Sequence, residues 1–477
     1  MKTRNAKYDG KLFVGAKTSG IYCIPSCVIA PPKEKIEFFK TALEAEEAGY
    51  SPCFRCHPDN YVEDPNKVGS LTIVERALKM LDFQELIEFD ENKFADLFGI
   101  SARHLRRLFV KEIGKTPKQI YFEKRLNLAK QLLVDTNIPI SAIIFDSGFN
   151  SVRRFNDAFK DRYHKNPSEI RLYPVFKNSH PEISLPYILP FNFKGLMSFY
   201  KAHQIGDLEW FVAGKMYRVV HIDNEVGLIS IANDHKNSCI LLNIDFPNAL
   251  AFPNIIARVK ILMDLSIDPI IINNKLGFDE KVKIIIEKHP GTRLPSGWDA
   301  FEMSIFTILG QSISMRKNQT GINNLIKLLG EDSGLIVNNR SIQLFPTVEK
   351  ILISDLSSLK INPAKQKTLI DFCKCIIAKT ITFDSTQDVT EFSNKILAIE
   401  GMTPAVVHCL SLRILNYADA FPDTHFIFAR ILELHDKAII DRMAPYRGYA
   451  AALLWVEYVD KMKRLHNKKS HSSILAD

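Results

Sequence analysis

The chain has 477 residues, more than one hydrophobic core supports, so three or four domains are expected. Its 46% hydrophobic and 24% charged residues suit a globular protein, and no apolar run reaches the roughly 18 residues of a membrane helix. The net charge is +8, and the stretch from Ser101 to Arg171 alone holds 15 Lys and Arg against 7 Asp and Glu, an excess equal to the whole. Such a local basic patch implies a polyanionic partner, of which nucleic acid is the commonest. The basic segment Met1–Lys7 leads into no apolar signal stretch, so a cytoplasmic location is expected, with no membrane partner.

Residues 1–66 show little helical periodicity before Ala42–Ala48 but hold four of the eight cysteines. Cys23-Ile24-Pro25-Ser26-Cys27 and Cys53-Phe54-Arg55-Cys56 form C-x3-C and C-x2-C pairs separated by 25 residues. Two short pairs on separate turns can converge on a tetrahedral Zn²⁺, each presenting two sulfurs to one side of the metal. A closed structural zinc ribbon has the same spacing. The other thiols, Cys239, Cys373, Cys375 and Cys409, lack paired spacing and are expected to be buried or inert.

The residues around the four cysteines narrow the choice. Phe13-Val14-Gly15-Ala16-Lys17-Thr18-Ser19-Gly20-Ile21-Tyr22-Cys23 and Gly49-Tyr50-Ser51-Pro52-Cys53-Phe54-Arg55-Cys56-His57-Pro58-Asp59 resemble the N-terminal domain of the Ada family. The resemblance implies that Cys23 accepts a methyl group from a methylphosphotriester in DNA, with Cys27, Cys53 and Cys56 as zinc co-ligands. A zinc-bound thiol is deprotonated at neutral pH, and the thiolate is the nucleophile. Four thiolates leave the site with a formal charge of −2, which suits a methylated, uncharged phosphate and repels an ordinary one. Methylation brings the site to −1, relieving about 1 kcal/mol or more of repulsion per nearby phosphate. The family has arginine after the first cysteine and basic residues after the second; here stand Ile24 and Val28-Ile29-Ala30, leaving Lys17, Lys33 and Lys35 as phosphate contacts.

Residues 67–174 read as helices with short turns. Phe94 to Ser101 followed by Ala102-Arg103-His104-Leu105-Arg106-Arg107-Leu108-Phe109 gives helix, glycine turn, helix. Ala95, Leu97, Leu105 and Leu108 are expected inside, with Arg103, His104, Arg106 and Arg107 facing DNA. A second unit runs Ile140 to Phe149, then Ser151-Val152-Arg153-Arg154-Phe155-Asn156, and presents Ser151, Arg153 and Arg154. Leu126, Ala129, Leu132 and Leu133 give the connecting helix one apolar stripe. Two such units can reach successive major grooves; a plain helical bundle is the alternative. The pattern, closing on Asn166-Pro167-Ser168-Glu169-Ile170-Arg171, resembles the AraC family, which implies sequence-specific binding of double-stranded DNA and, for a regulator, RNA polymerase as a partner.

Pro181, Pro186 and Pro190 with polar residues between them place a linker over 175–189. The β-rich runs Arg218–Ile222 and Ile240–Ile244 predict a small sheet, and a helix is expected over Ile255–Leu265. The pattern is helical again from Trp298 to Tyr458. Ala257 to Pro269, Gly291 to Glu302, Ile308-Leu309-Gly310-Gln311-Ser312-Ile313-Ser314 and Pro445-Tyr446-Arg447-Gly448-Tyr449-Ala450 resemble the AlkA-like 3-methyladenine-DNA glycosylases, a helix-hairpin-helix (HhH-GPD) family. The resemblance implies a substrate pocket including Trp298 and Tyr446 and a hairpin that grips DNA at Gly401. It also exposes departures. Where the family reads approximately Pro-Gly-Ile-Gly-x-Trp-Thr-Ala, this chain reads Glu400-Gly401-Met402-Thr403-Pro404-Ala405-Val406-Val407. The catalytic aspartate falls on His425, which cannot supply the fixed negative charge that an oxocarbenium-like sugar needs. Asp423, two residues earlier, is the candidate substitute if the loop shifts. The DNA-wedging side chain corresponds to Ser312, too small to fill the gap left by a flipped base.

The expected fold class is multidomain and mainly α. A small zinc-bound α/β domain covers 1–66, an AraC-type tandem helix-turn-helix 67–174 and a linker 175–189. A small α+β domain then covers 190–285, an all-α helix-hairpin-helix glycosylase domain 286–466 and a tail 467–477. The resemblances together imply a DNA alkylation-damage response protein, expected as a monomer: Cys23 is methylated once, and DNA binding and transcription respond. Two alternatives stay open, an active alkylbase DNA glycosylase of base excision repair and a non-catalytic DNA-binding regulator. A Pro-Cys-His-Arg motif, which the Ada family uses on O6-methylguanine, does not occur in the chain.

Overall fold

A computed structural model describes residues 12–17, 20–25, 27, 36–53, 58, 73–83, 89–136, 138–171, 182–248, 251–337, 339–359, 361–383, 387, 389–422 and 437–474. In chain order the first elements are β1 (Phe13–Ala16), β2 (Ile21–Cys23), β3 (Ile36–Phe39), α1 (Ala42–Glu47), β4 (Ser51–Pro52), α2 (Ile73–Phe83), α3 (Glu91–Asp96), α4 (Ala102–Ile113), α5 (Pro117–Asp135), α6 (Ile140–Asp146), α7 (Val152–Tyr163) and α8 (Pro167–Arg171). Then come β5 (Glu182–Pro186), α9 (Phe193–Ala202), β6 (Glu209–Val212), β7 (Lys215–Ile222), β8 (Glu225–Asp234), β9 (Cys239–Asp245), α10 (Phe252–Leu262), α11 (Pro269–Leu276), α12 (Glu280–Lys288), α13 (Ala300–Gly310) and α14 (Met315–Leu329). The last are β10 (Asp332–Val337), β11 (Arg340–Gln343), α15 (Val348–Ile353), α16 (Pro363–Ile377), α17 (Val389–Leu397), α18 (Pro404–Arg413), α19 (Lys437–Arg442) and α20 (Arg447–Ile474). They sort into two compact units, one of residues 1–189, 222–260 and 265–267, the other of 190–221, 261–264 and 268–477.

In the first unit, β3-β1-β2-β4 form one sheet in which β2 and β4 run parallel, with Ile21 opposite Ser51 and Tyr22 opposite Pro52. Phe13, Tyr22, Phe39 and Ala45 fill its small core together with Cys23, Cys27 and Cys53. The helices that follow are stopped and started by local chemistry. Ser101 caps α4 by accepting from the His104 amide, and Thr116 with Gln119 closes a capping box on α5, whose first residue is Pro117. Phe94, Ala95, Leu105 and Phe109 pack on α2 and Tyr121. Leu97, expected inside, is 53% exposed, because α3 ends at Asp96 and Phe94 takes the inward place.

α5 also departs from expectation. Leu126, Ala129, Leu132 and Leu133 are buried, but so are Arg125, Lys130, Gln131 and Asp135, so the helix is enclosed well beyond one stripe. The Arg125 guanidinium lies over Phe149 and donates to the Ser147 carbonyl at 2.5 Å; the Lys130 ammonium lies over Tyr163. β5 falls inside the stretch expected as a linker. Its alternating Ile183 and Leu185 are fully buried, and it pairs antiparallel with β9, Ile183 opposite Leu242. β9 pairs in turn with β8, Ile231 opposite Leu242.

In the second unit, β6 and β7 form a hairpin with Trp210 opposite Tyr217, and β10 and β11 form another that sequence periodicity did not foretell. α13 is the central helix: Met303, Ser304, Ile305, Phe306, Ile308 and Leu309 are all buried, and α14, α16 and α18 pack around it.

Candidate metal centre and nucleic-acid interface

The parallel pairing of β2 with β4 brings the ends of both strands together. The Cys53 amide donates to the Tyr22 carbonyl at 2.9 Å, which sets Cys53 beside Cys23, and the Cys27 amide donates to the Ile24 carbonyl at 3.1 Å, turning Cys27 back toward them. The three Sγ atoms lie within 4.8 Å of one another and all three residues are buried. Tetrahedral zinc with Zn–S bonds of about 2.3 Å puts its sulfurs about 3.8 Å apart, so the group fits that ion. None of the three is in a disulfide.

In the paired helix-turn-helix, Arg103 and Arg107 on α4 and Arg153 and Arg154 on α7 are exposed, and His104 is half-buried. Arg106 is engaged: its guanidinium grips Glu91 of α3 through Nη2–Oε2 at 2.5 Å and Nε–Oε1 at 3.3 Å. Ser151 is the N-cap of α7 and accepts from the Arg154 amide at 3.4 Å. Both have structural duties that their expected DNA role did not include.

In the helical unit, α17 and α18 are joined through Gly401, whose φ is +87° and whose position leaves no room for a side chain, since a Cβ would stand 2.1 Å from Thr368 Oγ1. Thr403 precedes α18 without capping it; its hydroxyl donates to Gln311 Oε1 at 3.2 Å, joining the hairpin to the end of α13. Beside Gln311, Ser312 is exposed with φ +59°. Lys365 Nζ donates to the Leu309 carbonyl at 2.9 Å and also to that of Gln311. Asp419, near in sequence to the expected catalytic position, is held by Arg447 through Nε–Oδ1 at 2.9 Å and Nη2–Oδ2 at 2.6 Å. A cavity of about 190 Å³ beside this clamp is lined by His408, Ser411, Tyr417, Asp419 and Arg447, among others.

Three family models match parts of the chain: the metal binding domain of Ada over residues 1–59, a helix-turn-helix domain over 94–172 and the AlkA N-terminal domain over 182–299. The chain therefore combines Ada, AraC-type and AlkA modules. A Mycobacterium tuberculosis protein named probable bifunctional transcriptional activator/DNA repair enzyme AlkA is 27% identical over 95% of this chain and 94% of its own length. The Escherichia coli bifunctional transcriptional activator/DNA repair enzyme Ada is 33% identical over 28% of this chain and 38% of its own. A solved 3-methyladenine DNA-glycosylase from Archaeoglobus fulgidus superposes with a TM-score of 0.50 at 15% identity, covering 58% of this chain and 97% of that one, a likeness of fold.

Three converging thiols inside an Ada metal binding domain make the first module a zinc site. Of the expected ligands, Cys23, Cys27 and Cys53 meet, while Cys56 lies outside the described residues, as do Asp423 and His425. Trp298, expected in a substrate pocket, is 8% exposed with the Arg218 guanidinium over its ring at 5.4 Å, and Tyr446 is buried edge-on against Tyr449. Beside them, Arg218 is clasped by Glu209 and Glu302, and Tyr449 donates to Asp264 at 3.0 Å. Burial pushes the Cys239 and Cys409 thiols up to about 11 and Cys373 to about 12, which keeps them protonated and inert. No described helix is long and apolar enough to cross a membrane. Sequence reasoning overlooked Glu46, whose partners Lys115 and Arg162 stand 69 and 116 positions away, beyond the reach of any local pattern.

Proposed function

We propose that the protein is a DNA alkylation-response regulator whose Cys23 takes the methyl group of a DNA methylphosphotriester. The observation that carries this reading is the convergence of Cys23, Cys27 and Cys53 in an Ada metal binding domain followed along the chain by a paired helix-turn-helix. Bound zinc keeps the cysteine sulfurs as thiolates. The Cys23 sulfur attacks the methyl carbon, a C–S bond forms as the C–O bond breaks, and the phosphodiester leaves as its anion. Cys23 is consumed. Arg103, Arg107, Arg153 and Arg154 then hold the duplex through base edges and phosphates, and loss of one negative charge at the zinc site strengthens that hold. The test is mass analysis of the Cys23 peptide after incubation with methylphosphotriester DNA. One added methyl group is the expected result, and an unmodified Cys23 overturns the reading.

The helical unit serves in this reading as a DNA-binding scaffold that has lost its catalyst. Gly401, Lys365 and the Asp419–Arg447 clamp keep the architecture, whereas Ala405, Ser312 and His425 stand where the family's hairpin aromatic, DNA-wedging side chain and catalytic aspartate are expected. Free 3-methyladenine release decides it. No release by the wild type with a gain in His425→Asp is expected. Release that Asp423→Asn abolishes would instead make the protein a repair glycosylase with a relocated carboxylate.

A further inference from the structure

The methyl-acceptor domain makes a specific contact with the paired helix-turn-helix within the first unit, and Glu46 of α1 is its centre. Glu46 Oε1 accepts from the Tyr22 hydroxyl at 3.0 Å, and Tyr22 is fully buried and covalently next to Cys23. The same carboxylate meets Lys115 Nζ at 3.2 Å through Oε2 and Arg162 Nη2 at 3.4 Å through Oε1. Glu123 of α5 closes the group, 3.0 Å from Lys115 and 3.5 Å from Arg162. Ser51 of β4 adds a hydrogen bond to the Arg162 carbonyl at 3.4 Å.

The placement of the two cations is informative. Lys115 follows the last residue of α4 by two positions, and Arg162 is the penultimate residue of α7. Glu46 therefore holds the C-terminal ends of both recognition helices, while their basic N-terminal turns stand free of the contact; Arg154 and Arg162 are about 12 Å apart along α7. The side chains of Glu46, Lys115 and Arg162 are only 19%, 22% and 14% exposed. Salt screens such a group less than an open surface pair, and a network of four charges holds geometry better than one pair does. Two cations and two anions also balance, so the contact adds no net charge near the DNA.

We propose that Glu46 is a positioning residue that locks the methyl-acceptor domain onto the C-terminal ends of both recognition helices, so that Cys23 and the two helices engage one stretch of duplex as a single body. The consequence for recognition rests on the methyl-transfer reading above; the docking itself does not. The test uses full-length, zinc-loaded wild type, Glu46→Gln, Arg162→Met and the double variant, with zinc content as the check on folding. Methyl uptake is measured from a duplex of about three helical turns bearing one methylphosphotriester and from a dinucleotide methylphosphotriester too short to touch the helices. Each single variant is expected to raise the half-saturating duplex concentration about three- to tenfold, with no further rise in the double, as for members of one network. The maximal rate and the dinucleotide reaction stay as in the wild type. Hydrogen exchange at 110–113 and 160–163 is expected to quicken in Glu46→Gln. Wild-type half-saturation together with wild-type exchange in Glu46→Gln overturns the proposal. Absence of methyl uptake by the wild type from both substrates would remove the methyl-transfer reading, and the exchange measurement would still decide the docking.

Discussion

The zinc site and the helix-hairpin-helix edge are both built by backbone devices, but they differ in what those devices still carry. At the zinc site, parallel pairing of β2 with β4 delivers Cys23 and Cys53, and the residues delivered are metal ligands. At the hairpin, Gly401 keeps a close approach that excludes any side chain and Arg447 keeps Asp419 in place, yet the sequence has Ala405 and Ser312 where an aromatic and a DNA-wedging side chain are expected. Packing preserves a scaffold independently of the chemistry grafted on it, so a glycosylase fold is weaker evidence of activity than a converged ligand set.

The largest expected effect tests the zinc side of this contrast. Cys23→Ala is expected to abolish methyl uptake outright and to lower zinc affinity, read by mass analysis and by metal competition, because one of the converging thiols is lost. The helical unit keeps its melting transition. Retained methyl uptake in this variant would move the acceptor to another cysteine.

Next in size are two tests of the side that kept its scaffold. Arg218→Met leaves Glu209 and Glu302 buried without their cation and should cost about 3–5 kcal/mol in urea unfolding. Burial pushes Glu302 up to about 7 against the pull of Arg218. A carboxyl raised in this way is easy to keep in the fold below its ordinary range and becomes costly as pH climbs to 7, so the variant recovers part of its loss at pH 5. Equal losses at pH 5 and pH 8 would contradict this account. Gly401→Ala forces a Cβ against Thr368 at a φ of +87° and should cost about 2–4 kcal/mol, while methyl uptake at Cys23 is unchanged. A cost under about 0.5 kcal/mol would mean that the hairpin rearranges freely.

How much of this was legible beforehand follows the distance over which each feature is encoded. Cys23, Cys27 and Cys53 could be read because each cysteine pair is local in sequence, as C-x3-C and C-x2-C. The two helix-turn-helices could be read because apolar spacing and glycine turns recur within about 25 residues. Leu97 misled because it marks a helix end, where periodicity no longer determines facing. β5 misled because Pro181, Pro186 and Pro190 read as a linker; Pro186 in fact ends an edge strand, where a missing amide is tolerated, and the alternation of Ile183 and Leu185 was the overlooked signal. Glu46, the pairing of Arg106 with Glu91 and the buried polar face of α5 depend on contacts between elements.

That polar face supplies the smallest and sharpest test, at the place where the AraC-type region meets the segment expected as a linker. Asp135 ends α5, 6% exposed, near Gln131, whose amide donates to the Ser184 carbonyl of β5 at 3.4 Å. Asp135 Oδ2 has no hydrogen-bond partner, and burial pushes the carboxyl up to about 7 despite help from Ser184, Gln131 and Lys130. The unfolded chain ionises this group near 4, so the folded state is favoured below that pH and loses the advantage as pH rises through about 7. A three-unit shift corresponds to about 4 kcal/mol at most; an amide must still place its own N–H groups, so Asp135→Asn should gain about 1–2 kcal/mol at pH 8. At pH 4 the gain should vanish or reverse. Melting temperatures of wild type and variant across pH 4–8 read the difference directly. A difference that does not change with pH would mean that Asp135 stays ionised in the fold, with Lys130 as its counterion and the α5–β5 contact open to water.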